Sequence, residues 1–223
     1  MTNILIVSAT ELEVEGFLKN RQIELVKLLN IKRFFLDNKR IDVLITSVGM
    51  VATSYSLTRV LSEITYDYVI NMGICGSFNE HLKIAEVVEV VQEIFAEMAV
   101  DTAEGLKPFR NTKEANILIT QKNLILIPII TPSLNKLKKV RAITVNTVTG
   151  TPERKEMLTA LYNPDIESME GAAFVYVCNA FKVPCLQIRS ISNKTGYYNK
   201  TDWHIEEAIQ ELTKTVKDII NEI

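Results

Sequence analysis

The sequence predicts an α/β fold, a three-layer α/β/α arrangement in which helices cover both faces of a central mixed, largely parallel, twisted sheet. Short apolar runs alternate with helical patterns from one end of the chain to the other. These runs are apolar on both faces, as strands are when helices cover a sheet on both sides. Hydrophobic residues make up 47% of the 223 residues, which is enough for the core of one domain. We therefore expect a single domain over residues 1–223.

The first half of the chain supplies strands, two helices and a hairpin. The run NILIVSA predicts a buried strand, and Thr10 is a suitable N-cap for the following helix, since Glu11 and Glu13 fall in its first turn. The runs IKRFFL and IDVLITSV can pair across a polar turn. The predicted elements are a strand at 3–9, a helix at 11–20, a hairpin of strands 31–36 and 41–48, a helix at 51–65, and strands at 66–73 and 87–98.

The second half continues the alternation. Pro152 is well placed in the first turn of a helix. The last helix has apolar residues at helical spacing, from Trp203 to Ile219. The predicted elements are strands at 124–130 and 140–150, a helix at 152–161, an apolar helix at 169–182, a strand at 183–192, a final helix from about 202 to the end, and a loop at 107–116.

Composition and motifs exclude several functional classes. Lys plus Arg number 25 and Asp plus Glu number 27, so the net charge of −2 offers no basic excess, and no nucleic-acid partner is expected. The three cysteines include no CxxC pair, which argues against a disulfide framework and a zinc site. No secretory leader or membrane span is apparent, so we expect a cytoplasmic protein with no membrane partner. No metal-binding or cofactor motif appears, so neither is expected.

Polar and glycine-containing segments follow the predicted strands. Ligands of such sheets bind beyond the carboxyl ends of the strands, so we expect these segments to line one crevice. Gly73 and Gly76 favour a tight turn that needs positive φ, and the alternative is a close approach of the backbone to a base or ribose. The segments are 10–13, 49–50, 74–77, 151–152 and 193–194.

Charged residues at these positions have both structural and functional interpretations. Glu170, beside an apolar helix, either caps that helix or accepts two vicinal sugar hydroxyls. Glu11, Glu13 and Glu15 form a solvated helix face, or one of them points into the crevice as a general base, because i and i+2 do not share a face. Arg189, inside an apolar strand, needs an anion or carbonyl partner, and a buried ion pair is its structural interpretation.

Other candidates favour packing roles. Cys75 follows a strand, but no nearby base is identifiable, so we expect a small packing residue rather than a nucleophile. Tyr197, Tyr198 and Trp203 are either surface and core aromatics, with the core favoured, or an aromatic lid.

Three segments in order, VINMGICGSF, ESMEGAAF and VPCLQIRSISN, resemble the purine nucleoside phosphorylase/nucleosidase superfamily. The likeness runs from residue 3 to about 210. It implies a nucleoside phosphorylase-like fold and cleavage of the N-glycosidic bond of a purine nucleoside. It also implies that Glu13 activates water and that Met169 and Glu170 pack on the ribose and bind its hydroxyls.

Asn193 departs from one branch of that superfamily. Methylthioadenosine/S-adenosylhomocysteine nucleosidases end the Arg-x-Ile-Ser strand with an Asp that protonates adenine. An Asn cannot act as an acid, but it can hydrogen-bond the oxo edge of a 6-oxopurine. With VNTVTGT and DWxIxxAI, the chain resembles the futalosine hydrolases, which release hypoxanthine from futalosine in the alternative menaquinone pathway.

A second departure concerns the nucleophile. Phosphorylases hold phosphate with arginines at strand tips, whereas the corresponding segments SATELE and SVGMVATS contain none, so water is the expected nucleophile. The alternatives are another nucleosidase or phosphorylase of this fold, or a nucleoside-binding protein without turnover.

The resemblance implies roles for the remaining residues and for a second subunit. It implies a homodimer in which residues near 97–109 complete the neighbour's pocket. The carboxylate of a futalosine-like substrate could pair with Arg110, Arg154 or Lys194. The substrate pocket would use Ile74, Cys75 and Met169 as apolar walls, Gly76 and Thr151 beside the base, Arg189 on its strand, and Trp203 at the far end.

Overall fold

The computed structural model describes residues 1–108 and 129–223. Eleven strands and five α-helices lie within these two ranges, with 3₁₀ turns at Leu134–Lys136 and Lys200–Asp202. They are β1 (Thr2–Ser8), α1 (Glu11–Leu18), β2 (Glu24–Val26), β3 (Ile31–Leu36), β4 (Lys39–Ile45), α2 (Met50–Glu63), β5 (Tyr68–Ser77), β6 (Val87–Phe95), β7 (Ala99–Thr102), β8 (Gly105–Pro108), β9 (Lys138–Thr144), α3 (Pro152–Tyr162), β10 (Ile166–Ser168), α4 (Gly171–Phe181), β11 (Cys185–Lys194) and α5 (Ile205–Glu222).

Nine strands form one mixed sheet in the order β10-β9-β6-β11-β5-β1-β4-β3-β2. Parallel pairs join β1 to β4 and β5, β5 to β11, and β9 to β6 and β10. The antiparallel hairpin of β3 and β4 continues to β2. The expected α/β class with a mixed, largely parallel sheet is therefore confirmed. β7 and β8 form a separate two-stranded sheet.

One end of the sheet closes on itself. β10 pairs in parallel with β9 and in antiparallel with β5, through Ile166 opposite Ser77 and Glu167 opposite Gly76. The strands β5, β11, β6, β9 and β10 thus form a closed ring, and the other four extend from it as an open sheet. These five strands therefore enclose an interior, as the strands of a barrel do. The predicted three-layer arrangement did not include this closed ring.

Helices cover both faces of the open sheet, as the apolar runs predicted. In β1, Leu5 and Val7 pack in the core with α2 and α4, whereas Ile4 and Ile6 pack with α1 and α5. This alternation is the period of two expected of a strand buried on both faces. Helix α3 packs on a smaller apolar cluster at the closed end of the sheet.

Apart from the predicted strand at 124–130, the predicted strands and helices are present with shifted ends. β5 continues to Ser77 and β11 to Lys194, so both pass through segments that we predicted as loops. β9 ends at Thr144 rather than at 150, and residues 107–108, predicted as loop, belong to β8. The predicted strand at 124–130 lies outside the described residues up to 128, and Ile129 and Ile130 are not in a strand.

The short strands β2 and β10 were not predicted, because three residues carry too little periodicity to stand out. Within residues 1–108 and 129–223, no helix combines the length and apolar character needed to cross a lipid bilayer.

Candidate active site

A cavity of about 270 Å³ opens where β1, β5 and β11 end, at the edge predicted for ligand binding. Its walls are mainly apolar, and its polar groups come from α1, β10, the start of α4 and the end of β11. The residues around it are Ala9, Thr10, Leu12, Glu13, Val48, Ile74, Cys75, Gly76, Val145, Val148, Glu167, Ser168, Met169, Glu170, Ser192, Asn193, Trp203, Ile205 and Ile209.

Glu13 is a buried carboxylate with four hydrogen bonds. It lies in the first turn of α1, after the N-cap Thr10. Its Oε2 accepts from the Ser8 hydroxyl at 2.9 Å, the Thr10 amide at 3.0 Å and the Thr10 hydroxyl at 2.9 Å. Its Oε1 accepts from the Ile74 amide at 3.0 Å. These donors hold the carboxylate rigidly at the cavity wall, which excludes the solvated-face interpretation for this glutamate.

Glu170 occupies the N-cap position of α4, but its side chain makes no capping hydrogen bond to that helix. Its Oε1 accepts from the Gly49 amide at 3.0 Å, across the cavity mouth from its own helix. Its Oε2 lies 3.7 Å from Nη1 of Arg189, whose Nη2 donates to Asn71 at 2.5 Å. Burial raises the pKa of Glu170, and the nearby charge of Glu13 adds to this rise. The charge of Arg189 and the hydrogen bond from the Gly49 amide both lower the pKa of Glu170 in part. Arg189 therefore lies behind the cavity wall and supports Glu170, as its ion-pair interpretation predicted.

The two glycines of β5 serve close approach rather than a turn. Neither has positive φ, so the predicted tight turn is wrong. A side chain at Gly73 would overlap the Arg189 guanidinium and come within 2.9 Å of Glu13 Oε1. One at Gly76 would meet Asn193 Nδ2 and the Glu167 side chain, each at 3.4 Å. The glycines thus mark two polar ends of the cavity, about 10 Å apart along the strand.

Asn193 lies at the second polar end. β11 has an irregular register there, because Ile191 and Asn193 pair with consecutive residues of β5 and Ser192 is skipped. The Ser192 hydroxyl lies 2.8 Å from Asn193 Oδ1, and Asn193 Nδ2 donates to the Lys194 carbonyl at 3.2 Å. Since an amide nitrogen carries two hydrogens, one donor of Asn193 remains for a ligand.

Glu167 is a polar residue of the cavity that the sequence analysis missed. It lies in β10, is buried, and accepts from the Thr149 amide at 2.9 Å and the Thr149 hydroxyl at 2.5 Å. Burial raises its pKa, and the Thr149 bonds oppose the rise. These bonds hold the loop after β9 against the cavity. The sequence analysis missed Glu167 because β10 was not predicted, and the segment IES alone indicates only the residues that precede a helix.

The apolar walls include the predicted residues. Ile74, Met169 and Trp203 line the cavity, although Trp203 precedes α5 rather than starting it. Cys75 is buried, and its Sγ lies 3.5 Å from the Ser190 carbonyl. Burial raises the pKa of this thiol to about 12, so it is protonated at neutral pH and suits a packing role.

Other predicted positions lie away from the cavity. Thr151 is exposed and caps α3 by accepting from the Arg154 amide, so it does not contact the cavity. Tyr197 and Tyr198 are 77% and 61% exposed, so the core interpretation is wrong for them. The Tyr198 ring meets Trp203 edge to face, with centroids 6.0 Å apart.

Two of the three proposed carboxylate partners, Arg154 and Lys194, already have partners within the protein. Arg154 pairs with Glu97 at 2.6 Å, and Lys194 donates to the carbonyls of Asn79 and Leu82 at 3.0 and 2.7 Å. Arg110 lies outside the described residues. No cluster of three His, Cys, Asp or Glu side chains able to hold a metal occurs in the two ranges that the structure describes.

Comparison with known proteins places the chain in a family. Residues 3–223 match the sequence profile of the phosphorylase superfamily. Among curated relatives, a futalosine hydrolase of Thermus thermophilus is 28% identical over 79% of this chain and 80% of its own length. An aminodeoxyfutalosine nucleosidase of Helicobacter pylori is 27% identical over 83% and 82%. A 5′-methylthioadenosine/S-adenosylhomocysteine nucleosidase of Shewanella loihica is 29% identical over 75% and 74%.

Solved structures have the same fold. A futalosine hydrolase mutant of Helicobacter pylori superposes with a TM-score of 0.80 at 22% identity, over 100% of both chains. A mutant nucleosidase of Helicobacter pylori with 5′-methylthioadenosine in its active site gives 0.81 at 23%, also over 100% of both chains. The chain therefore belongs to the phosphorylase superfamily and is an enzyme, an N-glycosyl hydrolase like the nucleosidases that it matches.

Proposed function

We propose that this enzyme hydrolyses the N-glycosidic bond of futalosine, releasing hypoxanthine and dehypoxanthine futalosine for menaquinone synthesis. The observation that carries the proposal is the distribution of polar groups in the cavity. Two buried carboxylates, Glu13 and Glu170, lie at one end, and the neutral amide of Asn193 lies at the other, beside Glu167, whose carboxylate is hydrogen-bonded to Thr149. This pattern suits a sugar that becomes cationic and a base that leaves with a hydrogen bond rather than a proton.

The carboxylate end suits the ribose. Breaking an N-glycosidic bond builds positive charge on the sugar, as in glycoside hydrolysis. Glu170 would accept hydrogen bonds from the two vicinal hydroxyls of the ribose. Its negative charge would stabilise the oxocarbenium-like transition state. Glu13 would orient a water molecule and remove its proton. Such general-base catalysis typically raises the reaction rate by about 10²–10⁴-fold. The four donors on Glu13 hold it in place for that task.

The charges of the cavity favour water over phosphate as the nucleophile. Among the described residues around it, three are carboxylates, Glu13, Glu167 and Glu170, and none is Lys or Arg. Arg189 lies behind the wall, committed to Glu170 and Asn71. An anionic nucleophile would meet repulsion without a compensating cation, whereas neutral water would not.

The amide end suits a 6-oxopurine. Asn193 can donate its remaining N–H to the oxo edge of hypoxanthine, but it cannot protonate adenine. Methylthioadenosine/S-adenosylhomocysteine nucleosidase activity is the second candidate, because relatives of that name match the chain equally well.

We also propose a homodimer in the cytoplasm. Val48 lines the cavity and is 53% exposed, and the adjoining outer face of α2 carries Val51 and Tyr55, which are 84% and 62% exposed. Residues at i and i+4 share one helix face, so these side chains form an apolar patch beside the cavity mouth. A second subunit on this patch would cover it and narrow the opening. The hairpin of β7 and β8, in the segment expected at the interface, exposes Val100.

Product analysis tests the proposed function. The enzyme would be incubated with futalosine, inosine and methylthioadenosine, each with and without phosphate, and the products separated by chromatography. We expect hypoxanthine from futalosine, with no effect of phosphate. Adenine from methylthioadenosine in preference would favour the second candidate. A phosphate requirement would instead identify a phosphorylase, and no product from any of the three would contradict the proposal.

A further inference from the structure

A second buried carboxylate system lies inside the closed ring of strands, behind the active site. Glu93 of β6 is completely buried. Its Oε1 lies 2.6 Å from Nε2 of Gln187 on β11, and its Oε2 accepts from the hydroxyl of Thr144 on β9 at 2.9 Å. A buried carboxyl group is costly unless its hydrogen bonds are satisfied, so this one needs a structural or functional reason.

The hydrogen bonds of Glu93 continue to the helix that follows Glu170. The backbone amide of Ala172, in the first turn of α4, donates to the Thr144 hydroxyl at 2.7 Å. Because Thr144 donates its own hydrogen to Glu93, its oxygen is directed toward the amide. Glu93 thereby orients the group that satisfies one of the free amides at the N-terminus of α4.

Packing adds a second link at the same point. Gly171, the first residue of α4, lies so close to Glu93 that a side chain there would overlap the carboxylate. The Gly171 amide donates to Ser168 on β10 at 3.2 Å. The start of α4 is therefore seated against three strands of the ring, directly behind Glu170.

From this geometry we propose that Glu93 is a positioning residue for the ribose site. Through its hydrogen bond to Thr144, it holds the N-terminus of α4 in place. The helix start in turn holds Glu170 between Gly49 and Arg189. Glu170 reaches these partners from the residue immediately before the helix, so a shift of the helix start moves its carboxylate. Hydrogen bonds and packing transmit the effect, and Glu93 does not contact the substrate cavity. The inference rests on the proposed nucleosidase activity.

Three variants test the inference. Glu93→Leu removes the acceptor for Thr144 while keeping an apolar side chain of similar size, and we expect kcat/KM to fall at least about tenfold, the scale of a misplaced binding group. Thr144→Val breaks the same link with Glu93 intact and should reproduce most of that loss. Glu93→Gln can still accept from Thr144 and should retain activity within about threefold of the wild type. Glu89→Leu, the same change at another buried position of β6, is the control.

The decisive measurement is the discrimination against a missing sugar hydroxyl. For each variant, kcat/KM is measured with the ribonucleoside substrate and with its 2′-deoxy counterpart. If Glu93 acts through Glu170, Glu93→Leu and Thr144→Val lower the ratio of the two values, because the hydroxyl loses its aligned acceptor. A residue that only supports the fold lowers both values alike and leaves the ratio unchanged, as we expect for Glu89→Leu.

The outcomes separate this inference from the proposed function. If the wild type cleaves a purine nucleoside and the ratio is unchanged in both Glu93→Leu and Thr144→Val, the positioning role is wrong and the proposed function stands. If the wild type cleaves none, the proposed function fails first. Should Glu93→Leu not fold, Thr144→Val and Glu93→Gln give the same decision, since a lowered ratio in Thr144→Val alone supports the role.

Discussion

Gly73 is the residue around which the ribose end of the site is organised. Glu13 reaches it from α1 and Arg189 from β11, and Arg189 in turn contacts Glu170. Both side chains that border this glycine are buried and hydrogen-bonded, so neither can move away cheaply to accommodate a methyl group.

We therefore expect Gly73→Ala to lower kcat/KM about 100-fold or more, since displacements of about 1 Å cost that much in an active site. Steady-state kinetics with the substrate identified by product analysis would measure it. Gly76→Ala, where the nearest contacts are 3.0 and 3.4 Å, is the comparison and should lose clearly less activity. Equal losses in the two variants would mean that Gly73 has no special role.

Glu13 provides the second prediction at this scale. Glu13→Gln keeps the size of the side chain but removes the base, so we expect turnover to fall about 10²–10⁴-fold with the fold preserved. Activity assays and circular dichroism would check the two parts. Glu15→Gln, at an exposed position of the same helix, should behave as the wild type. A Glu13→Gln enzyme with near-normal turnover would refute the assigned role.

The sequence was informative for residues that follow apolar strands and uninformative for residues inside them. Glu13 and Asn193 could be placed in one crevice because each follows a predicted strand, and Glu170 was identified from its position beside an apolar helix. Glu93 and Glu167 could not be identified, because their hydrogen-bond partners Thr144 and Thr149 lie elsewhere in the chain and no local pattern indicates them. The function of Gly73 was misjudged for the same reason, since only the neighbouring strand and helix show what occupies the space.

Among the elements, β6 carries an unusual group for a strand interior. Burial raises the pKa of Glu93 from 4.5 to about 7, while Gln187, Arg189 and Thr144 oppose the rise. The folded protein thus favours the protonated form more than the unfolded chain does. The resulting contribution to stability is complete below pH 4.5 and is lost as the pH rises through 7.

Removing this titration should change the pH dependence of stability. Glu93→Gln cannot ionise, so we expect its free energy of unfolding, relative to the wild type, to improve between about pH 5 and pH 8. The difference is on the order of 3 kcal/mol at most, since one pKa unit corresponds to about 1.4 kcal/mol. Denaturant unfolding at both pH values would measure it. Glu63→Gln, on the exposed side of α2, is the control, and parallel curves for Glu93→Gln and the wild type would contradict the prediction.

The elements could be predicted where a long apolar pattern exists. The strands β1, β3 and β4 and the helices α2 and α3 begin and end close to their predicted limits. β5 and β11 extend further, because Gly73, Gly76 and Asn193 resemble turn residues when the neighbouring strands are unknown. β10 was not predicted, because a run of three residues does not indicate a pairing with β5. The closed ring, which depends on that pairing, was therefore not predicted either.

At the scale of the whole molecule, one continuous nine-stranded sheet supports the proposal of a single domain. The apolar patch formed by Val48 and by Val51 and Tyr55 of α2 is a feature that a monomer leaves unexplained. Exposed apolar surface next to a cavity mouth is typical of an interface.

We expect Val51→Glu to shift the protein from dimer to monomer and to lower its activity, because a charge would be buried at the interface and the cavity would lose its cover. Light scattering at several concentrations and a parallel activity assay would measure both effects. Ile130→Glu, which changes an equally exposed apolar residue elsewhere, should leave both unchanged. A wild-type protein that is monomeric and fully active would refute the dimer.

The position of β5 at the centre of the fold also governs how the enzyme is made. Its neighbours are β1, near the start of the chain, and β10 and β11, near the end, and Cys75 meets Ser190 across 115 positions. Contacts so distant along the chain slow folding, because long loops must close before any pairing is gained. On the ribosome, Glu13 and Gly73 emerge long before Asn193, so the nascent chain holds an open-edged β5 until nearly all of it has been translated. The active site is therefore complete only late in synthesis. Until then the unpaired edge of β5 is exposed, and the risk that the chain aggregates is greatest.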